Sequence, residues 1–144
     1  MRYVVVMLTG AALRRLLRAR DQLHAEVQRG PTLDELAATA GMSRAFLSRS
    51  FVTTFGAAPH QYLSHLRLEH AKRVLAGGAS VTDACFEVGF ESVGTFSSMF
   101  HRRVGISPRA WQRHTRAVVQ GLGLPALWIP GCFLLKYVQE YSPP

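Results

Sequence analysis

The sequence predicts an all-α protein: two helix-turn-helix subdomains joined by a long connecting helix and followed by a mostly irregular, apolar C-terminal tail. Three observations support this fold class. A short amphipathic helix is interrupted at Gly41, and a second helix restarts directly behind it. The same order of residues recurs around Gly89. Between the two copies, residues 59–76 contain no glycine and no proline after the first position, which is typical of one continuous helix.

The balance of charges favours a polyanionic partner. The chain has 144 residues, with 17 Lys+Arg against 9 Asp+Glu and a formal net charge of +8. Hydrophobic residues make up 48 % of the sequence, which is enough for a folded core. The charge indicates nucleic acid first and an anionic membrane surface second. A basic protein kept soluble by its charge is the plainer alternative.

No arrangement of residues predicts an enzyme, a metal site or a cofactor. The sequence lacks a phosphate-binding glycine loop, a GxSxG elbow and an HExxH pattern. His60, His65 and His70 have a spacing that distributes side chains around a helix and gathers no metal site. Cys85 and Cys132 form neither a zinc pattern nor a disulfide framework, which favours a reducing, cytoplasmic compartment. We therefore expect no catalytic residue and no cofactor.

A basic amphipathic helix is predicted upstream of the repeated units. It would end at the Gly30-Pro31 pair, because glycine and proline close helices. Its core candidates, at helical spacing, are Leu13, Leu16, Leu17, Leu23 and Val27. Four arginines crowd its early turns, Arg14, Arg15, Arg18 and Arg20, and they suit a solvated face and a phosphate-binding face equally well. Residues 1–12 are expected to be disordered or strand-like.

The first helix-turn-helix is predicted from its capping residues and its apolar spacing. Thr32 and Glu35 form a capping box that begins the first helix, and Gly41 can adopt the left-handed conformation that ends it. Ser43 is a suitable N-cap for the second helix. The buried positions are Leu33, Leu36, Ala37 and Ala40, then Leu47, Phe51 and Phe55. The outer face of the second helix carries Arg44, Ala45, Ser48 and Arg49, and such a helix fits the major groove of B-DNA.

The second copy repeats this pattern with one inserted residue. Gly41 and Gly89 are 48 positions apart, whereas Phe51 and Phe100 are 49 apart, so Glu91 is the insertion. The repeated apolar positions are Val81, Ala84, Cys85 and Val88, then Phe96, Phe100 and Val104, with Ser80 and Asp83 in place of the capping box. The repeat therefore assigns Cys85 to a small core position.

The connecting helix and the tail complete the prediction. Pro59 suits the first turn of a helix, and the Gly77-Gly78 pair ends it. The tail, residues 117–144, begins with an uncharged stretch whose glycines and prolines make a membrane-spanning helix unfavourable. We expect it to lie in extended form on the domain, or to form a docking surface for a partner.

These motifs resemble the DNA-binding domain of AraC/XylS-family transcriptional regulators. The most specific stretch is GFESVGTFSSMFHRRVGISPRAWQR, which is similar to the family pattern GFxSxSxFxRxFKxxxGxTPxxYR. The matching positions are Gly89, Phe90, Ser92, Phe96, Phe100, Gly105, Pro108 and Arg113, and the connecting helix adds Tyr62, Leu63, Arg67, Leu68, Ala71 and Leu75. The resemblance covers residues 13–116 and implies a first copy over 13–57, a linker helix over 58–77 and a second copy over 78–116.

The resemblance implies a sequence-specific regulator whose two recognition helices enter successive major-groove segments of double-stranded promoter DNA. In the family, base contacts come from the first half of each recognition helix, here Arg44, Ala45, Ser48 and Arg49, then Val93, Gly94, Ser97 and Ser98. The phosphate-contacting candidates are Ser43, Ser92, Thr95, Arg102, Arg103, Arg109 and Arg113. The family also implies contact with RNA polymerase, activation of transcription and a cytoplasmic, nucleoid-associated location in a bacterium. The chain would bind as a monomer or weak dimer, without a membrane.

The second copy departs from the family pattern where DNA contact is expected. Ser98 replaces the usual arginine, Gly94 a polar residue and His101 the usual lysine. We therefore expect Arg49 in the first copy to carry most base readout. The second copy would supply the remaining contacts, Arg102 and Arg103 to phosphates and Val93 to a thymine methyl group.

Three alternatives stay open. The weakened second recognition helix would suit a nonspecific or architectural DNA binder. Many family members carry a separate ligand-sensing domain, for which this chain has no room. We therefore expect either a stand-alone reader or the DNA-binding fragment of a larger ligand-sensing regulator. The tail could instead serve a membrane-associated or protein-docking module.

Overall fold

Seven helices account for most of the residues, 8–122, that the computed structural model describes. In chain order they are α1 (Gly10–Ala25), α2 (Leu33–Ala40), α3 (Arg44–Phe55), α4 (Pro59–Ala76), α5 (Val81–Glu87), α6 (Val93–Val104) and α7 (Pro108–Leu122). No strand occurs between residues 8 and 122, which confirms the all-α fold class. The chain divides into two compact units, Met1–Leu66 and Arg67–Pro144, and the division falls inside α4. The apolar run near the N-terminus and the tail beyond Leu122 lie outside the described residues.

The first unit is built on an apolar core shared by α1, α2 and α3. Its buried side chains are Leu16, Ala19, Leu23, Leu36, Ala37, Ala40, Leu47 and Phe51. The ring of Phe51 contacts those of Phe55 and Tyr62, with centroid distances of 4.5 and 5.4 Å. Aromatic pairs at such distances add to the stability that burial provides. The predicted stripe of the second helix is therefore confirmed, with Phe55 half-buried at its end.

Leu13 is a predicted core residue that the structure places elsewhere. This residue is 38 % exposed. With 3.6 residues per turn, Leu13 lies about 120° around α1 from Ala19, at the margin of the face that Leu16, Ala19 and Leu23 bury. The prediction was wrong because a residue at helical spacing can still lie at the margin of the buried face.

Three helix boundaries differ from the sequence prediction. α1 begins at Gly10 because the Thr9 hydroxyl group accepts a hydrogen bond from the backbone N–H of Ala12, so residues 10–12 are helical. It ends at Ala25, before the Gly30-Pro31 pair. α7 continues to Leu122, so residues 117–122 of the expected irregular tail are helical as well.

The capping box of α2 forms as predicted. The Thr32 hydroxyl group accepts from the backbone N–H of Glu35 at 3.2 Å, and the Thr32 N–H donates to the Glu35 carboxylate at 2.7 Å. This backbone hydrogen bond, together with the guanidinium of Arg29, holds the pKa of Glu35 below its ordinary value. Because the folded-state pKa is lowered, the ionised Glu35 carboxylate stabilises the fold at neutral pH. This stabilisation is lost as the pH falls through the folded-state pKa.

Replacing Thr32 with alanine should lower the free energy of unfolding by about 1 kcal/mol, because α2 loses its N-terminal hydroxyl acceptor. Urea denaturation followed by circular dichroism measures the change. Thr54→Ala, at an exposed position inside α3, is the matched control. Alanine is a better helix former than threonine, so this variant should be neutral or slightly stabilised. Equal losses in the two variants would contradict the capping role.

The second unit has its own core, formed by the second half of α4 together with α5, α6 and α7. Its buried residues are Leu68, Ala71, Leu75, Ala76, Ala84, Cys85, Val88, Phe96, Phe100 and Trp111. Cys85 is fully buried, and burial raises the pKa of its thiol, so the thiolate needed for reactivity is disfavoured. The predicted core role of Cys85 is confirmed.

Candidate nucleic-acid interface

The turn between α2 and α3 follows the geometry that its glycine allows. Gly41 has φ 58°, in the left-handed region that glycine adopts without strain. Its N–H donates to the carbonyl of Ala38, and the N–H of Met42 donates to that of Ala37, each at 3.0 Å. These two bonds close the end of α2 in a Schellman-type motif. α3 then starts at Arg44, with Ser43 as its N-cap.

The turn between α5 and α6 repeats these two hydrogen bonds. Gly89, with φ 88°, donates to the carbonyl of Phe86 at 3.1 Å, and Phe90 donates to that of Cys85 at 3.0 Å. Ser92 is the N-cap of α6. The duplication inferred from the sequence therefore extends to the hydrogen bonds of the turns.

α3 exposes most of its predicted base-reading face. Arg44, Ala45 and Arg49 are exposed, whereas Ser48 is half-buried. The Arg44 Nε atom lies 3.3 Å from Asp34 Oδ1 in an exposed ion pair, an interaction worth little in water. Within residues 8–122, Arg49 has no ion-pair partner. Arg49 is therefore the cation of α3 most available to a ligand.

Ser48 is one of the residues that line a cleft of about 240 Å³ in the first unit. Apolar side chains from α1, α2 and α4 form most of its wall, including Leu23, Leu36 and Leu63. Among the four predicted base-reading residues of α3, Ser48 is consequently the one turned furthest towards the protein.

α6 presents a different face at the corresponding positions. Gly94 and Ser98 are exposed, while Val93 and Ser97 are half-buried. Val93 packs against the core of the second unit, so part of its apolar surface is already used. No lysine or arginine occurs in α6 before Arg102. The first half of this helix can therefore contact DNA through side-chain hydroxyl groups and through the helix backbone at Gly94, but it carries no permanent charge.

Two N-cap serines stand at the starts of the recognition helices. The Ser43 hydroxyl group accepts from the N–H of Phe46 at 3.3 Å, and that of Ser92 accepts from the N–H of Thr95 at 3.4 Å. A hydroxyl group that accepts one hydrogen bond can still donate its own proton. Both serines and Thr95 are exposed, so their hydroxyl protons are open to a phosphate oxygen.

The predicted phosphate-binding arginines are exposed and lie on two helices. Arg102 and Arg103 are in the last turn of α6, where cations also stabilise a helix C-terminus. Arg109 and Arg113 are four residues apart near the start of α7, so they share one face of that helix. Each pair therefore forms a small positive patch within the second unit.

The basic face of α1 has a partly structural role that the sequence did not reveal. The Arg15 Nε atom donates to the Ala40 carbonyl at 2.7 Å, and Arg20 pairs with Asp21 and lies over the Phe55 ring. Arg14 and Arg18 are exposed. Neither predicted role, solvated face or phosphate binding, describes Arg15. Its contact depends on how α1 packs against α2, and no local pattern encodes that.

Two further properties concern the described part of the chain as a whole. Residues 8–122 contain no group of three or more His, Cys, Asp or Glu side chains that could hold a metal ion. None of the helices α1–α7 combines the length and the apolar character that crossing a bilayer requires.

The duplicated helix-turn-helix and its exposed polar helix faces define a DNA-binding class of protein, and comparisons with known proteins specify the family. A sequence model of a helix-turn-helix domain matches residues 36–114, more than half of the chain. A putative AraC-like transcription regulator of Streptomyces lividans is 36 % identical over 93 residues, covering 64 % of this chain. The chain belongs to the AraC-type helix-turn-helix family of transcriptional regulators.

Solved structures share the fold. An AraC-type regulator from Chromobacterium violaceum matches with a TM-score of 0.67 and 27 % identity, covering 74 % of this chain and 96 % of that one. The DNA-binding domain of AdpA, solved in complex with a target DNA, matches with a TM-score of 0.62 and 30 % identity, covering 70 % and 95 %. The chain thus spans nearly all of these domains, but the matched region is only 31 % of the length of the Streptomyces lividans regulator.

Proposed function

We propose that the chain is a sequence-specific DNA-binding regulator that inserts α3 and α6 into successive major-groove segments of promoter DNA. The observation that carries the proposal is the exposed Arg49 on a twelve-residue helix that a helix-turn-helix supports. A guanidinium group there can donate two hydrogen bonds to the O6 and N7 atoms of guanine. The AdpA domain, which binds its target DNA with the same fold, supports this role.

The two copies have unequal roles in this proposal. Arg49 supplies the main base readout, assisted by Arg44 and Ala45. α6 enters its groove segment less deeply than α3 does, and it contacts the bases through side-chain hydroxyl groups and the half-buried Val93. The phosphate contacts come from residues around the recognition helices: Ser43, Ser92, Thr95, Arg102, Arg103, Arg109 and Arg113. Phosphate contacts fix the register of a protein on DNA, whereas base contacts select the sequence.

The proposal includes the setting in which the chain acts. A cytoplasmic, nucleoid-associated protein that activates transcription through RNA polymerase, as a monomer or weak dimer, fits the family. Relatives named as transcriptional activators support the direction of regulation.

Fluorescence anisotropy tests the proposal directly. A DNA site is first selected by the intact chain from a random-sequence library. Labelled duplexes carrying this site or its scrambled sequence are then titrated at one fixed salt concentration. We expect affinities that differ by about 10³-fold or more. Equal affinities would contradict sequence-specific binding.

A nonspecific or architectural DNA binder is the second candidate function. It is favoured by α6, whose first half lacks a cation and includes Gly94, and glycine weakens a helix by up to about 1 kcal/mol relative to alanine. Such a protein would bind the two duplexes equally and with a strong dependence on salt.

Arg103→Ala should weaken binding to the selected and the scrambled duplex by the same factor. The reason is that a phosphate contact carries no sequence information. The slope of log K against log salt concentration should fall in magnitude by about one. Arg73→Ala is the matched control, since Arg73 is also exposed in the last turn of a helix and has no proposed contact with DNA. A change in sequence preference with Arg103→Ala would contradict its assignment as a phosphate contact.

A further inference from the structure

The helix that precedes each helix-turn-helix belongs to the duplicated unit as well. Its buried positions are Leu16, Ala19 and Leu23 in α1, and Leu68, Ala71 and Leu75 in α4. Taken in order, each residue of the first set is 52 positions before its counterpart in the second, as Leu16 is before Leu68. The same offset relates Arg15 to Arg67. Each copy of the repeat therefore comprises three helices, α1–α3 and α4–α6, and each copy carries an arginine directly before its first buried leucine.

In the first unit, Arg15 occupies the turn that ends α2. Its Nε atom donates to the carbonyl of Ala40 at 2.7 Å. A Cβ atom placed on Gly41 would lie only 2.8 Å from Arg15 Nη2, so the guanidinium fills the space that a side chain would need there. Carbonyl groups at the end of a helix lack partners within the helix and carry partial negative charge. The guanidinium of Arg15 donates a hydrogen bond to one of these carbonyl groups and brings a positive charge close to their partial negative charge.

In the second unit, Arg67 contacts the equivalent turn, but its partner there is an aromatic ring and not a backbone carbonyl group. Its Cζ atom is 5.6 Å from the centroid of the Phe90 ring, a cation–π contact. Phe90 follows Gly89 in the turn, as Met42 follows Gly41. The Phe90 ring in turn contacts the Phe96 ring of α6, with centroids 5.5 Å apart. Arg67 is thus connected to the second recognition helix through one aromatic side chain.

We propose that Arg15 and Arg67 are positioning residues that fix the turn before each recognition helix and thereby the direction in which that helix leaves the turn. The inference rests on the proposed DNA-binding function. α3 begins three residues after Gly41, so a change at this turn is carried along the helix to Arg49. Arg15 acts on base readout through Arg49 and does not itself need to touch DNA.

The first experiment compares Arg15→Ala with Arg18→Ala in the intact chain. Arg18 is exposed in the same helix, so both variants lose one positive charge. The readout is the affinity for duplexes in which each base pair of the selected site is changed in turn. Arg15→Ala should lose about tenfold in discrimination, and only at base pairs whose recognition also depends on Arg49. Arg18→Ala should keep the full pattern of preferences.

A second experiment disturbs the contact between Arg15 and the turn while keeping the arginine and its charge. Gly41→Ala would displace the Arg15 guanidinium, whereas Gly56→Ala has a similarly positive φ of 76° and no neighbouring atom within 4 Å. Gly41→Ala should flatten the same base preferences as Arg15→Ala, and the double variant should show no further loss. Gly56→Ala should retain them. Circular dichroism shows that each variant is folded at the assay temperature.

The outcomes separate the inference from the function on which it rests. If the wild-type chain shows no sequence preference at all, the proposed function is contradicted and the inference falls with it. If the wild type discriminates and Arg15→Ala keeps every preference, or weakens binding to all duplexes alike, only the positioning role is overturned. Additive losses in Arg15→Ala and Gly41→Ala would overturn it too.

Discussion

Replacing Trp111 with alanine should lower the free energy of unfolding by about 3–5 kcal/mol, the largest effect that we expect from a single substitution. Trp111 is fully buried in the second unit, where its ring lies 6.2 Å from that of Phe100 and beneath the ammonium group of Lys72. Its indole N–H donates to the Lys72 carbonyl at 3.3 Å. The alanine variant would lose this packing and leave a cavity and an unpaired acceptor.

Urea denaturation followed by circular dichroism measures this loss. Val52→Ala is a suitable control, because Val52 is an exposed apolar residue of α3 and its truncation should change stability by less than about 0.5 kcal/mol. Trp111→Phe, which retains much of the buried volume, should fall between the two. If Trp111→Ala were as stable as Val52→Ala, the core of the second unit would not be organised as described.

Replacing Arg49 with alanine should reduce discrimination at one base pair by about 1–3 kcal/mol, which is roughly 5- to 150-fold in affinity. Arg49 is exposed on α3, and within the described residues its guanidinium has no ion-pair partner. No salt bridge has to break before it binds a guanine. Arg44, which is paired with Asp34, should contribute less.

Arg49→Lys is the control that separates charge from geometry. Lysine keeps the positive charge but lacks the planar pair of donors that matches guanine. We expect this variant to retain the salt dependence of the wild-type chain and to lose most of its preference at that base pair. Anisotropy titrations on duplexes with each of the four bases at the position provide the measurement. Unchanged preference in both variants would show that base readout lies elsewhere.

The sequence predicted those parts of the fold that depend on short-range chemistry. The capping box of Thr32 and Glu35, the left-handed Gly41 and the N-cap Ser43 act within a few residues of themselves. The alignment of the two copies then located the core, including Cys85, because equivalent positions have equivalent burial. These predictions needed no knowledge of how the helices pack.

The parts that the sequence missed depend on contacts between helices. Leu13 is exposed at the margin of the face that α1 buries, and Arg15 of the same helix donates to the carbonyl group of Ala40 at the end of α2. The ion pair of Arg44 with Asp34 links the start of α3 to α2. Helical periodicity defines a face of one helix but not the length or register of its neighbour. The assignments of individual residues to bases and phosphates stay predictions for the same reason.

A structure of the intact chain bound to its selected DNA site tests most directly the claim that the two recognition helices contribute unequally. We predict that the Arg49 guanidinium lies within hydrogen-bonding distance of a guanine edge. We also predict that α6 and its N-cap contact the duplex mainly at its phosphates, through Ser92, Thr95, Arg102 and Arg103. A complex in which Arg49 points away from the bases, and in which Ser97 and Ser98 make the base hydrogen bonds, would contradict this account.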